Sequence, residues 1–426
     1  MLNLRVCVAV AALLGSTAAA PPERDTPAAR RSVSGTLPDG ARWAAQVPSQ
    51  WNGTLLLWSR GYSPKAGDPE LAPPPVRDAL LAQGYAIAAS NYGADGWALA
   101  EAIPAQRATV AAVEERVGRA RQVLGFGYSM GGLVTTALAE EPTPVIDGAV
   151  ALCPSIGGAL GMMNMALDGA FAFRTLVAPD AGIRLVDTRD DRANGSRVAA
   201  ALTRARQTPE GRARIALAAT LAGLPGWTRA DRPQPAANDV ATQADEMAAS
   251  FVMGVFLPRS DQEARAGGVF SWNTNIDYRA QLRRSGRTAM IATLYRQAGL
   301  DLSTDLDRLA KAARVTADPR AVDYMRTHYT PTMRPMVPIV SVQAIGDGLT
   351  SPSLQRDYVA HAGKRAAGLW VRQAGHCTFT PAQVTTAIRF LEQRVDTGRW
   401  PTRPSGFVAH TSPPMLRSCR RDGPCL

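Results

Sequence analysis

Apolar and polar residues keep one rhythm at the flanks of this chain and another in its middle. Short apolar runs at 54–58, 85–90, 123–126 and 149–153 each border a glycine on at least one side, which predicts strands covered on both faces. Between them, residues 76–83 form a short helical pattern closed by Gly84, and a longer one runs up to Val117. Strand, helix, strand in succession predicts a mostly parallel sheet. Ahead of it, 33–37 and 41–47 flank the turn sequence Pro38-Asp39-Gly40 and predict a β-hairpin. From 156 to 334 helical spacing takes over, as in 196–206, 210–221 and 304–314, with loops around 223–238. Strand patterns return at 337–345 and 368–372, and a last helix fits 381–394. The expected organisation is an α/β core from 32–155 and 335–400, a helical insertion at 156–334, and a Pro, Ser and Arg-rich surface tail at 401–426.

The first residues follow neither rhythm. Arg5 precedes an apolar run from Val6 to Leu14, then small residues to Ala20 and the pair Pro21-Pro22, which predicts a cleaved secretory signal peptide over 1–20. That run is too short to span a bilayer and no later stretch is long enough, so the expected location is secreted or periplasmic. Removing the leader removes Cys7 and leaves Cys153, Cys377, Cys419 and Cys425. An even number in an exported chain allows two disulfides, with three pairings open. The short loop around Asp422-Gly423-Pro424 favours Cys419 with Cys425, and Cys153 with Cys377 as the second pair.

Composition adds less. At 46% hydrophobic, the 426 residues can bury one large core or two smaller ones. The 47 basic and 36 acidic residues give +11, but the basic ones are scattered and no aromatics interleave with them, so a nucleic-acid partner is not expected.

Chemistry enters at Gly127-Tyr128-Ser129-Met130-Gly131, a G-x-S-x-G sequence between the 123–126 strand and a helical run through Leu133, Val134, Ala137 and Leu138. A turn that tight brings backbone against backbone, so glycines at 127 and 131 are required and Ser129 is a candidate nucleophile. A hydroxyl is a weak nucleophile and needs a base, itself oriented by an acid. Of the four histidines, His376 alone follows a predicted strand by a short loop, in Gln373-Ala374-Gly375-His376-Cys377. Asp347 leaves the preceding strand the same way, in Gly346-Asp347-Gly348. All three residues then emerge at the carboxyl edge of the sheet. No His-x-x-x-His, phosphate-binding glycine loop or Cys-x-x-Cys occurs, so neither metal nor cofactor is expected.

With its Gly-Tyr-Ser-Met-Gly turn and the order Ser129, Asp347, His376, the chain resembles a serine hydrolase of the α/β-hydrolase fold, with a helical cap inserted after the strand ending near Cys153. The resemblance implies an oxyanion hole built from the N–H of Met130 and a second N–H in Ser59-Arg60-Gly61-Tyr62, at Tyr62 or Gly61. Many relatives carry His-Gly where this chain has Arg60-Gly61. The Asn52-Gly53 turn and Gly375-His376-Cys377 resemble secreted feruloyl esterases and tannases, whose nucleophile turn differs. The expected reaction is hydrolysis of small-molecule or polymeric carboxylic esters, with a capped exopeptidase as the alternative. Two further segments are candidates for substrate contact. One is the apolar set Leu160, Met162, Met163, Met165, Leu167, Phe171 and Phe173, which also reads as helix core, and the other is the polar aromatic stretch 268–278. Asp168 is the acid the insertion's first helix offers to a peptide amine.

Overall fold

The computed structural model describes residues 30–426, so the predicted leader lies outside the described residues. Eight strands make one sheet: β1 (Arg30–Thr36), β2 (Arg42–Pro48), β3 (Thr54–Ser59), β4 (Ala86–Ser90), β5 (Gln122–Tyr128), β6 (Gly148–Leu152), β7 (Ile339–Gly346) and β8 (Ala366–Ala374). Their spatial order is β1-β2-β4-β3-β5-β6-β7-β8. The pairs β1–β2 and β2–β4 are antiparallel and every other pair is parallel.

Four helices flank the first half of the chain or open the insertion: α1 (Pro74–Leu81), α2 (Leu99–Val117), α3 (Met130–Glu140) and α4 (Gly158–Leu176). The insertion continues with α5 (Asp191–Ala205), α6 (Pro209–Leu221), α7 (Val240–Ala249), α8 (Phe251–Val255), α9 (Ser260–Ala266), α10 (Tyr278–Arg284), α11 (Thr288–Gln297), α12 (Leu302–Lys311) and α13 (Pro319–Tyr329). Back in the sheet layer, α14 (Pro352–Ala362) and α15 (Pro381–Thr397) follow β7 and β8.

Every residue of β3, β4, β6 and β7 is buried, because both faces of the sheet are covered. Alternate side chains divide between the two covers. Leu55, Leu57 and Ala149 pack with Val113, Leu133 and Leu138 of α2 and α3. Leu56, Trp58 and Val150 pack with Leu80 of α1 and Ile388 and Leu391 of α15. The inserted helices have a core of their own around Phe171, Phe173, Leu217, Met247, Phe251 and Tyr295. Helix α4 joins the two: Leu160, Met162, Met163 and Met165 belong to the sheet-side core, and Leu167, Phe171 and Phe173 to the inserted one. Among the described residues no helix is long and apolar enough to cross a membrane.

The tail departs from the expectation of a segment lying on the surface. Met415, Leu416, Arg417 and Cys419 are all buried. Arg417 reaches into the inserted helices and contacts Asp168 with Nη1, at 3.1 and 2.9 Å from its two carboxylate oxygens. The two side chains are 1% and 0% exposed. Asp168 also accepts from Tyr278 Oη at 3.1 Å and Gln281 Nε2 at 3.0 Å. Burial pushes its carboxyl pKa up, and Arg417 opposes that shift. An uncompensated charge at this depth is costly, so Arg417→Met is expected to lose about 3–5 kcal/mol of unfolding free energy in urea titrations. Adding Asp168→Leu to that variant should restore most of the loss, because it removes the stranded carboxylate.

Candidate active site

Ser129 stands between β5 and α3 with φ 57° and ψ −120°, a conformation that non-glycine residues rarely adopt. Its N–H donates to Leu152 O at 3.0 Å, fastening the turn to the end of β6. The neighbouring glycines are sterically required. A Cβ on Gly127 would lie 2.4 Å from Gly131 O, and one on Gly131 would lie 2.0 Å from Ser59 O.

Asp347 and His376 meet beyond the ends of β7 and β8. His376 Nδ1 lies 2.8 Å from Asp347 Oδ2, and the carboxylate side chain is fully buried. Four further bonds saturate Asp347: Leu349 N at 2.8 Å and Thr350 N at 3.0 Å on Oδ1, with Thr350 Oγ1 at 2.8 Å and Gln343 Nε2 at 3.0 Å on Oδ2. An acceptor-only carboxylate so placed fixes the imidazole with its proton on Nδ1 and leaves Nε2 as the acceptor. Thr350 and Gln343 were not singled out in the sequence. Ser341 and Gln343 are polar alternate positions in an otherwise apolar strand, which is the signal that marks that face as serving a polar network.

The link from His376 to Ser129 runs through β6. Cys153 is joined to Cys377 by a disulfide, with Cα atoms 5.3 Å apart, and Cys419 is joined to Cys425. The strand end that holds the Ser129 N–H is therefore covalently tied to the residue after His376. His376 Nε2 lies 3.3 Å from Cys377 Sγ, and among the described hydrogen bonds none joins it to Ser129. Cys153, His376 and Cys377 are close enough to form a metal-ligand triangle, but the disulfide removes both thiolates that such a site would use.

The loop after β3 passes directly beside the serine: a Cβ on Gly61 would lie 3.6 Å from Ser129 Cβ. Arg60 braces that loop from beneath, donating to Gly61 O at 3.1 Å, Asn91 O at 3.1 Å and Ala94 O at 2.8 Å, with its guanidinium 4.5 Å from the Tyr92 ring centre. The Tyr62 ring packs against Trp97, 5.3 Å between centres. Met130 opens α3, so its N–H belongs to the set a helix cannot satisfy internally.

The two segments expected to contact substrate lie in different places. Met162 and Met163 line a small cavity with Trp97, Leu133 and Ser155, and the Ser155 N–H donates to Ser129 O at 3.1 Å. The stretch 268–278 lies away from that cavity: Phe270 and Asn273 are fully buried, Asn273 Nδ2 donates to Tyr278 Oη at 2.8 Å, and Asn275 and Asp277 are exposed. Asp168, paired with Arg417, is not presented to any cavity beside Ser129.

A largely parallel sheet in this strand order, with a serine on the β5–α3 turn, an acid after β7 and a histidine after β8, defines an α/β-hydrolase. The chain is 30% identical over 411 residues to an o-phthalyl amidase of Xanthobacter agilis, covering 86% of this chain and 88% of that protein, and it belongs to that family of hydrolases. No family model matches the chain. Among solved structures, feruloyl esterase B from Aspergillus oryzae matches with 13% identity over 87% of this chain and 82% of its own, at a TM-score of 0.45. Lipase A from Candida antarctica matches with 15% identity over 90% and 82%, at a TM-score of 0.41.

Proposed function

We propose that the protein is an exported serine hydrolase that cleaves carboxylic esters through an acyl-enzyme on Ser129. The observation that carries this reading is the buried Asp347 carboxylate 2.8 Å from His376 Nδ1, on a loop tied by a disulfide to the strand end that holds Ser129. In it, Ser129 Oγ attacks the carbonyl carbon while His376 Nε2 takes its proton and returns it to the leaving group. Asp347 keeps the imidazole oriented and stabilises its charged form. The N–H groups of Met130 and Tyr62 or Gly61 receive the oxyanion, each worth about 3 kcal/mol in the transition state. Water then attacks the acyl carbon while His376 takes its proton, and that proton passes to Ser129 Oγ as the acid leaves. The helices between β6 and β7 act as a cap over this edge, with Met162, Met163 and Leu133 lining a small apolar cleft beside Ser155, whose N–H holds Ser129 O. The apolar leader at 1–20 and the two disulfides support export.

The amidase relative favours a second reading, in which the same residues cleave an amide. Exopeptidase action has less support, because Asp168 is neutralised by Arg417. A panel of p-nitrophenyl esters, N-acyl nitroanilides and aminoacyl nitroanilides separates the three. Ester turnover with fluorophosphonate labelling of Ser129 is the expected result, and turnover confined to acyl anilides would make amide cleavage the reaction.

A further inference from the structure

A second cavity, of about 220 Å³, opens between the 223–237 loop of the insertion, the start of α14 and the tail at 410–416. On that measure one buried water needs only about 10–15 Å³, so this space is built for something larger. Neither Ser129 nor His376 lines it. Among the described residues no Asp or Glu lines it either, and its one permanently charged residue is Arg287.

Arg287 is a cation without a counter-ion. Its Nη1 donates to Leu224 O at 2.6 Å and lies 3.8 Å from Met247 Sδ, while Nε and Nη2 have no partner among the described hydrogen bonds. No carboxylate pairs with it among the described residues, and burial alone pushes its pKa down to about 10. The Nε–Nη2 edge is the side of a guanidinium that grips a carboxylate with two parallel bonds. A second open donor stands in the same wall: Thr220 is 1% exposed and its buried Oγ1 has no partner. The field of α14, whose N-cap Ser351 lines the cavity, has the same sign. Flat apolar surface comes from Trp227, Pro225, Pro413 and Pro414, and Gln234, Gln243, Ser285, Ser353 and His410 add polar edges.

We propose that this cavity is a binding site for a small organic carboxylate with an apolar, ring-sized body, its carboxylate held by Arg287 Nε and Nη2 and by Thr220 Oγ1. It is distinct from the hydrolytic centre but adjoins it, since Ser351 follows Thr350, which holds Asp347. Ester or amide hydrolysis releases a carboxylic acid, so the reaction's own product belongs to this ligand class. That last link rests on the proposed function, while the site itself does not.

The test uses the full protein, with Ser129 first capped by a fluorophosphonate so that benzoate cannot occupy the acyl site. Benzoate is expected to raise the melting temperature in a saturable way, with benzamide and acetate giving smaller shifts at equal concentration. Arg287→Met should weaken benzoate binding about ten-fold or more in calorimetric titration. Because that variant also frees Leu224 O and can be less stable, Thr220→Val provides a near-isosteric second arm, expected to weaken benzoate about three-fold or more while keeping the wild-type circular dichroism. Equal shifts with benzamide and benzoate, or an unchanged benzoate affinity in both variants, would overturn the proposal. Failure of Ser129 to react with the fluorophosphonate strikes the catalytic reading alone, and the titrations of uncapped wild type and the variants then still decide the cavity.

Discussion

Ser129→Ala is expected to abolish fluorophosphonate labelling and to lower ester turnover by roughly 10⁵–10⁶-fold, the scale on which removal of a hydrolase nucleophile acts. The loss should appear in kcat with little change in melting temperature, because the turn is held by contacts the hydroxyl does not make. These are the Ser129 N–H bond to Leu152 O and the glycine-to-backbone approaches at 127 and 131. Rate measurements with a p-nitrophenyl ester, beside thermal unfolding, check both halves. Turnover within ten-fold of wild type in a folded variant would remove Ser129 from the mechanism.

The second large effect is expected at Asp347. Asp347→Asn should reduce kcat by about 10⁴-fold while the histidine stays in place. Five groups converge on this carboxylate, and the two backbone N–H groups on Oδ1 can still donate to an asparagine oxygen, while the Gln343 amide, which donates to Oδ2, loses its acceptor. The amide nitrogen then faces His376 Nδ1 as a donor, forcing the proton to Nε2, where it blocks acceptance from Ser129. The pH dependence of kcat should change along with its magnitude, because the imidazolium formed in the reaction loses its anionic partner. A loss under ten-fold would leave Asp347 as a loop anchor only.

How much of this was legible in the sequence depends on the range of the interaction involved. The strands of the core show as apolar runs because a strand covered on both faces has no polar side to interrupt it, as in β3, β4 and β6. Ser129, Asp347 and His376 are readable because each follows its strand within a few residues, so local order places them at one edge. Thr350 was not readable in this way: its hydroxyl sits between Asp347 Oδ2 and Cys153 O, 197 residues away, and nothing in Leu349-Thr350-Ser351 announces that placement. The tail misled for the same reason. Its composition is that of a surface segment, and which of its arginines becomes buried is decided by Asp168, on a distant helix. The stretch 268–278 misled in the opposite sense, since polar aromatic residues serve a buried network as readily as a ligand.

The Arg417–Asp168 contact also sets a timetable. Asp168 is synthesised 249 residues before its partner, and at roughly 5–20 residues per second the ribosome takes about 12–50 s to cover that distance. Throughout that interval the inserted helices carry a carboxylate that a packed interior will not accept unpaired. They are therefore expected to remain loosely assembled on the nascent chain and open to chaperones. The buried ion pair is then expected to act as a latch on the order of events, closing the insertion only after β7, β8 and the loops carrying Asp347 and His376 have been made.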